Sequence, residues 1–524
     1  MHLFELVIAM LLAIIVLHFI ARKLNLPPAV ALLAGGTLLA FIPGLPQIHL
    51  DPALVLVIFL PPLLMDGAWF IPFAQLRKHI LGVGSLAIGA VIFTTVVVAV
   101  VTHWLFPALP WAACAALGAI VAPPDAVSAR AVLQQVHLPK RPAILLEGES
   151  LLNDATGLVL FRFAVAAGVT GAFSAVEAVQ SFAILAIGGA VVGAVIAGIW
   201  VKLAKHLKDE YLIIAASCLT AWASYLAGEM LHVSGVIACV VAGLICGWYQ
   251  HVVFSAAVRM RGTSFWTVMI FLMEAMVFML IGSSLRGVLE RVGGFGVIVE
   301  QMAVPILLIL LALTLARFAW VFGGDLIAAG LNRMGWKTCT PLGAKCSTVI
   351  SWAGMRGVVT LAVALSVPEN FPGRDFMLVT AFAVILGTVV IQGMTLGQVI
   401  RWADLKEHEA DRARMTMSQA EASMAQAQAV VVQKLAYDED GKLVHPQLLE
   451  RYSKRAVISV EYAADKESFT PRLHAHFDLI LAAVAAGRAE LIRLHRAGEI
   501  DDHTLHELER DLDLEELSAI SAKA

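Results

Sequence analysis

The sequence predicts an all-α polytopic membrane protein: thirteen transmembrane helices, arranged as two inverted repeats with broken helices, followed by a helical cytoplasmic tail. Three observations predict it. The 524 residues are 59% hydrophobic and only 15% charged, with a mean hydropathy of +0.82, whereas a soluble domain carries about 25% charged residues. The charge is unevenly placed, for residues 401–524 hold about 39 of the 77 charged side chains. Apolar stretches recur before that point at the roughly 20 residues needed to cross a hydrocarbon core of about 30 Å. The division falls into a membrane domain at 1–402 and an aqueous tail at 403–524. The first is weakly basic and the second acidic, so no basic surface exists to pair with nucleic-acid phosphates.

The predicted spans are 3–21, 27–45, 51–72, 79–106, 110–136, 142–170, 178–204, 210–228, 232–250, 263–287, 294–322, 343–367 and 375–400. Several exceed the bilayer thickness and must tilt or break. The N-terminus lacks a basic region and a small-residue cleavage site, so it reads as a retained first span rather than a secretory signal. Basic residues occupy alternate loops: Arg22 and Lys23, Arg77 and Lys78, Lys140 and Arg141, Lys202 to Lys208, Arg259 and Arg261, then Arg333, Lys337 and Lys345. Positive loops face the cytoplasm. The N-terminus is therefore expected outside and the tail inside. The six cysteines form neither a CxxC pair nor a haem motif, and they read as small buried hydrophobes.

An ionisable side chain in mid-membrane is costly and marks function by default. Those that stand out are Asp66 after Pro61-Pro62 in span three, Asp125 after Pro123-Pro124 in span five, and Glu149, Ser150, Asn153 and Asp154 in span six. Glu274 in span ten and Arg356 in span twelve complete the set, with Arg162 in the outer half of span six. Ser150 and Asp154 are four apart and share a helix face. A carboxylate beside a hydroxyl makes a hard oxygen site suited to a small monovalent cation or a proton; the plainer reading is a polar seam between helices.

Spans five and twelve look broken. Pro123-Pro124 removes two backbone donors, and Gly354 and Gly357 bracket Arg356. Freed backbone groups at that depth must be buried in protein or line a wet cavity. Half-helix ends carry about half a unit of charge, so Asp125 suits positive N-terminal ends and Arg356 negative C-terminal ends. The two breaks lie seven spans apart, an odd offset that gives them opposite orientation. Interrupted helices at corresponding places in inverted halves point to a transport site at the midplane. On this scheme spans 1–6 and 8–13 are the repeats.

At these residues the sequence resembles the NhaP/NHE branch of the monovalent cation:proton antiporters. The matching segments are LPPLLMDGAW (60–69), AIVAPPDAVSA (119–129), LLEGESLLNDATGLV (145–159), SWAGMRGVVTLAVAL (351–365) and VVIQGMTLGQVIRW (389–402). The resemblance covers the whole membrane domain. It implies the thirteen-helix fold with crossed, broken helices, a homodimer in the cell membrane, and exchange of Na⁺ or another alkali cation for H⁺ with no cofactor and no catalytic residue. It further implies that Asp154 binds cation and proton in turn, with Ser150 a ligand and Asn153 its neutral partner. Glu149 and Arg356 are implied as a buried ion pair, and Asp125 as part of the helix crossing.

Three positions depart from the pattern. Asp66, which the resemblance places with Asp154, Ser150, Asn153 and Pro124 in the cation- and proton-binding set, stands where the family usually has Glu and is one methylene shorter. Pro124 replaces a common Thr and offers only its carbonyl. Glu274 replaces a frequent Asn, and three roles stay open for it: a protonated acid, a partner of Arg162, or a member of a proton path.

One carboxylate that holds either Na⁺ or H⁺ gives antiport by itself, because crossing empty exposes an unpaired buried charge. With Asn153 neutral, each half-cycle carries one positive charge and exchange is expected to be electroneutral. K⁺/H⁺ exchange on the same fold is the alternative. A channel or an intramembrane aspartyl protease would be a different class, and no GxGD-type segment surrounds Asp154 or Asp125. The tail reads as helices over 403–435 and two further helical stretches, with Asp501 or Asp502 capping the last. Its histidines read as solvated, and regulation or dimer contact is the role expected of it.

Overall fold

A computed structural model describes residues 2–24, 26–42, 52–125, 138–171, 175–334, 341–405, 415–438 and 440–523. Apart from an isolated bridge between Tyr437 and Leu443, the regular structure of these residues is helical. The chain divides into two compact units, 1–408 and 409–524.

In the first unit the helices are α1 (His2–Lys23), α2 (Pro28–Ala40), α3 (Pro52–Phe70), α4 (Phe73–Lys78), α5 (Ile80–Leu105), α6 (Trp111–Val121), α7 (Lys140–Thr170), α8 (Val179–Ala204 within a helix beginning at Ala175) and α9 (Glu210–Met230). They continue as α10 (Gly235–Val253), α11 (Ala256–Val292), α12 (Phe295–Arg333), α13 (Ala344–Trp352), α14 (Val358–Leu365) and α15 (Arg374–Ala403). Among the described residues, eight of these are long and apolar enough to cross a membrane, and α2, α6 and most of α3 are shorter apolar helices.

Local chemistry sets the ends. Asp209, Ser234 and Ser255 each accept a hydrogen bond from the backbone N–H three residues on, capping α9, α10 and α11. Gly171 and Gly293 end α7 and α11 in the left-handed region, where a side chain would be strained. The prolines within α3 leave carbonyls without helical donors, and another helix supplies one of them. The indole N–H of Trp222 donates to the Ile58 carbonyl at 3.3 Å, the very group that Pro62 cannot serve.

The surface of α8 fits hydrocarbon. Ile184, Ile187, Val191, Val195 and Ile199 form one face, each more than half exposed; such a stripe is tolerable against lipid and not against water. The opposite extreme is α15, most of whose length is enclosed by neighbours. Two large apolar clusters fill the interior, beside a small one at Ile213, Ile214 and Val258. One gathers α3, α10 and α11 with parts of α7, α13 and α15, and the other gathers α5, α6, α12, α14 and α15. Between them run α7 and the broken pair α13–α14, which carry the polar groups.

The tail contains α16 (Met417–Leu435), α17 (Pro446–Ala464), α18 (Lys466–Arg496) and α19 (Asp502–Lys523). Thr416 and Gln419 form a reciprocal capping box on α16. Asp501 accepts from the Thr504 N–H at 2.8 Å and caps α19; of the two aspartates expected there, it is the one that serves. Arg488 bridges α18 to Asp513 and Glu516 on α19.

Candidate functional site

The site begins with two interruptions. Helix α6 stops at Val121, just before Pro123-Pro124, and α13 stops at Trp352, five residues before α14 begins. Each break frees backbone groups, and the breaks satisfy one another. The Asp125 N–H donates to the Met355 carbonyl at 2.6 Å. The Arg356 guanidinium donates to the Val121 carbonyl at 2.9 Å and the Ala122 carbonyl at 3.2 Å, and also to Gly354. A fully buried cation thus sits on the negative end of α6. Asp125 lies at the opposite kind of terminus. A side chain at Gly357, the residue before α14, would collide with its carboxylate, so the acid stands at the positive end of that half-helix.

Helix α7 runs alongside. Gly157 lets it approach Pro123 so closely that any side chain there would strike the proline ring. One turn earlier, the Asn153 side-chain N–H donates to the Pro124 carbonyl at 2.5 Å. Pro124 therefore enters the site through its main chain, as its lack of a side-chain oxygen requires. Asn153 is completely enclosed, Asp154 is buried with 9% exposure, and Ser150 is half-buried one turn before it. Asp125 is the charged neighbour of Asp154. Asp66 is buried on α3 and Glu274 half-buried in the middle of α11, each with a polar or charged neighbour of its own. Arg162 reaches Glu229 at 3.4 Å in an exposed pair.

The buried ion pair differs from expectation. Glu149 is gripped by Arg317 of α12, not by Arg356: the guanidinium donates to both carboxylate oxygens, at 2.6 and 2.8 Å. Arg317 also donates to the Ile350 carbonyl at 3.1 and 3.2 Å, near the end of α13. The physical reason is geometric. A carboxylate and a guanidinium pair best side by side through two parallel bonds, and Arg356 is already committed to the carbonyls of α6. Sequence reasoning missed Arg317, although the signal was present: a lone cation inside the apolar run AVPILLILLALTLARFAWVF.

Four of the six cysteines are buried and Cys218 is partly so; Cys339 lies outside the described residues, as does the stretch 126–137 of the fifth span. Among the described residues, no group of three His, Cys, Asp or Glu side chains is placed to hold a metal.

Comparison with known proteins agrees with this architecture. The family described as sodium/hydrogen exchanger, transmembrane, matches residues 7–402. An uncharacterized Na⁺/H⁺ exchanger of Escherichia coli K12 is 31% identical over 98% of both chains. A similar protein of Mycobacterium tuberculosis is 30% identical over 98% of this chain and 96% of its own. A Bacillus subtilis protein named sodium, potassium, lithium and rubidium/H⁺ antiporter is 33% identical over 75% of this chain and 60% of its own. Among solved structures, the sodium proton antiporter MjNhaP1 of Methanocaldococcus jannaschii superposes with a TM-score of 0.57 at 23% identity, covering 76% of this chain and 99% of that one. The last likeness shows a shared fold, and the first shows the family. This chain, in which the end of α6 and the gap between α13 and α14 satisfy each other beside an Asn-Asp pair, belongs to the sodium/hydrogen exchangers, multi-pass membrane transporters that need no cofactor and are not enzymes.

Proposed function

We propose that the protein exchanges Na⁺ or Li⁺ for H⁺ across the cell membrane, one for one, through competition of cation and proton for Asp154. The observation that carries this reading is the hydrogen bond from Asn153 to the Pro124 carbonyl, which ties the helix of the acid to the point where the two breaks meet. Around it, four other buried or half-buried charges already have work. Glu149 and Arg317 neutralise each other, Arg356 serves the end of α6, and Asp125 serves the start of α14. Asp154 is the acid this arrangement leaves for cargo, with Ser150 one turn away as a further oxygen.

Coupling then follows from electrostatics. A carboxylate at this depth is stable when it holds a cation or a proton, and the empty anion is too costly to carry across. Each half-cycle moves one positive charge, so net transport is electroneutral. Asp66 and Glu274 are the acids able to change that count. The thirteen-span, inverted-repeat topology, an outside N-terminus, a homodimer, and a regulatory role for 403–524 complete the reading.

K⁺/H⁺ exchange is the second reading, favoured by one specific observation. The Pro124 carbonyl, which stands where a Thr side chain would offer another ligand, is occupied by Asn153. K⁺ is more weakly hydrated than Na⁺, so a site that offers fewer ligands repays its dehydration more readily. The test is a fluorescence-dequenching assay in everted vesicles with Na⁺, Li⁺ and K⁺ from pH 6 to 9. Na⁺ and Li⁺ are expected to dissipate the proton gradient, with a rate unaffected by clamping the potential with valinomycin. A response to K⁺ alone selects the second reading, and a potential-dependent rate shows that another acid carries a proton.

A further inference from the structure

The far side of the second break is held by α15, in which Thr388–Gln392 forms a π-helical turn. Widened turns of this kind concentrate at functional sites because they re-aim side chains. Two threonines of α15 grip the broken segment on either side. The indole N–H of Trp352, the last residue of α13, donates to the Thr395 hydroxyl at 2.9 Å. The Arg356 N–H, just before α14, donates to the Thr388 hydroxyl at 3.1 Å. Gln392 lies between the two threonines in sequence, one turn from each, and the adjoining Gly393 packs toward the Met355 sulfur of the break. Gln392 is nearly enclosed, with 4% exposure, yet its side-chain carbonyl accepts no hydrogen bond.

A buried amide oxygen left without a donor requires an explanation. The threonines show how the segment is fastened in one arrangement. A transporter needs a second arrangement, in which the half-helix ends shift relative to α15. Within the non-helical stretch 353–357 the Ala353 N–H donates to Val349 and the Arg356 N–H to Thr388, and the N–H groups of Gly354, Met355 and Gly357 are donors to which such a shift can bring Gln392. We propose that Gln392 is a positioning residue of the exchange cycle: its side-chain carbonyl accepts a backbone N–H from the 353–357 break when the half-helices move, fastening the alternative arrangement as Thr388 fastens this one. The proposal rests on the antiport reading above but concerns a different step, the rearrangement rather than cation binding.

The test uses the full chain in proteoliposomes and the substitution Gln392→Met, which keeps the length of the side chain and removes the acceptor. The expected result is a fall of at least about fivefold in maximal exchange rate, with the KM for Na⁺ changed less than about twofold. Hydrogen–deuterium exchange gives a second readout that needs no transport: amides of 353–357 are expected to exchange faster in the variant, while α16–α19 are unchanged. Should Gln392→Met fail to fold, Gln392→Glu, which retains an acceptor oxygen, is expected to fold and to keep the wild-type protection of 353–357. Unchanged rate and unchanged amide exchange overturn the proposal. A raised KM with the maximal rate preserved also overturns it, because that makes Gln392 a cation ligand. Absence of exchange by the wild-type chain defeats the antiport reading, and the amide-exchange result then decides this one alone.

Discussion

Two regions of the membrane unit each bury an arginine, and they satisfy it by opposite means. Around Arg317, a full negative charge on Glu149 meets the cation through two parallel bonds, with one peptide carbonyl in support. Around Arg356, the guanidinium donates to carbonyls: Val121, Ala122 and Gly354. The first region is an ion pair between continuous helices, and the second is a cation on a helix end. A guanidinium with five donors in a planar fork can serve either purpose. The difference teaches where rigidity lies. The ion pair joins α7 to α12 and to the end of α13, whereas the carbonyl-bound arginine spans a junction of broken backbone whose partners are partial charges.

The comparison breaks most visibly at Arg317. Replacing it with Met leaves Glu149 enclosed without its counter-ion, an expected loss of about 3–5 kcal/mol, read as a lower melting temperature in detergent. Combining it with Glu149→Leu removes both charges and is expected to restore most of that loss, since an apolar pair of similar volume is often as stable. A fully tolerated single substitution means that the pair contributes nothing. Arg356→Gln is expected to cost less, about 1–3 kcal/mol, because the groups it deserts are carbonyls rather than a carboxylate. The same melting series ranks the two, and a larger loss at Arg356 reverses the comparison.

Legibility in the sequence followed the range of the interaction. Ser150, Asn153 and Asp154 were readable as one helical cluster because their spacing is local. The breaks were readable because Pro123-Pro124 and Gly354-Gly357 are punctuation in themselves. Even the service of Arg356 to a negative helix end, and of Asp125 to a positive one, followed from the helix dipole. Which acid pairs with which base did not follow. Glu149 and Arg317 are 168 positions apart, and nothing local distinguishes Arg317 from Arg356 as the partner. Helix ends were least exact where apolar character and helicity part company. Helix α11 runs Ala256–Val292 while its apolar stretch covers 263–287, because its polar first and last turns are helical as well.

The smallest expected effect lies in the tail, away from both arginines. Hydrogen bonds from Thr504, side chain first and backbone second, hold the Asp501 carboxyl below its ordinary range. A lowered folded value means that this contribution to α19 is present at neutral pH and is lost as pH falls through that value. Asp501→Asn is expected to flatten the acid-side loss of amide protection at the start of α19 and to leave the membrane unit unchanged. The group is fully exposed, so the change is slight; an effect on melting of the membrane unit contradicts this assignment.

The central claim is that Asp154 holds cation and proton in turn, while Glu149, Arg317, Arg356 and Asp125 hold the scaffold. The direct measurement is Na⁺-driven proton movement by the Asp154→Asn chain in proteoliposomes, compared with wild type at matched folded protein. The account predicts a folded, monodisperse variant, with a melting temperature near that of wild type and no Na⁺-dependent proton flux at any pH from 6 to 9. Flux comparable to wild type from that variant contradicts it.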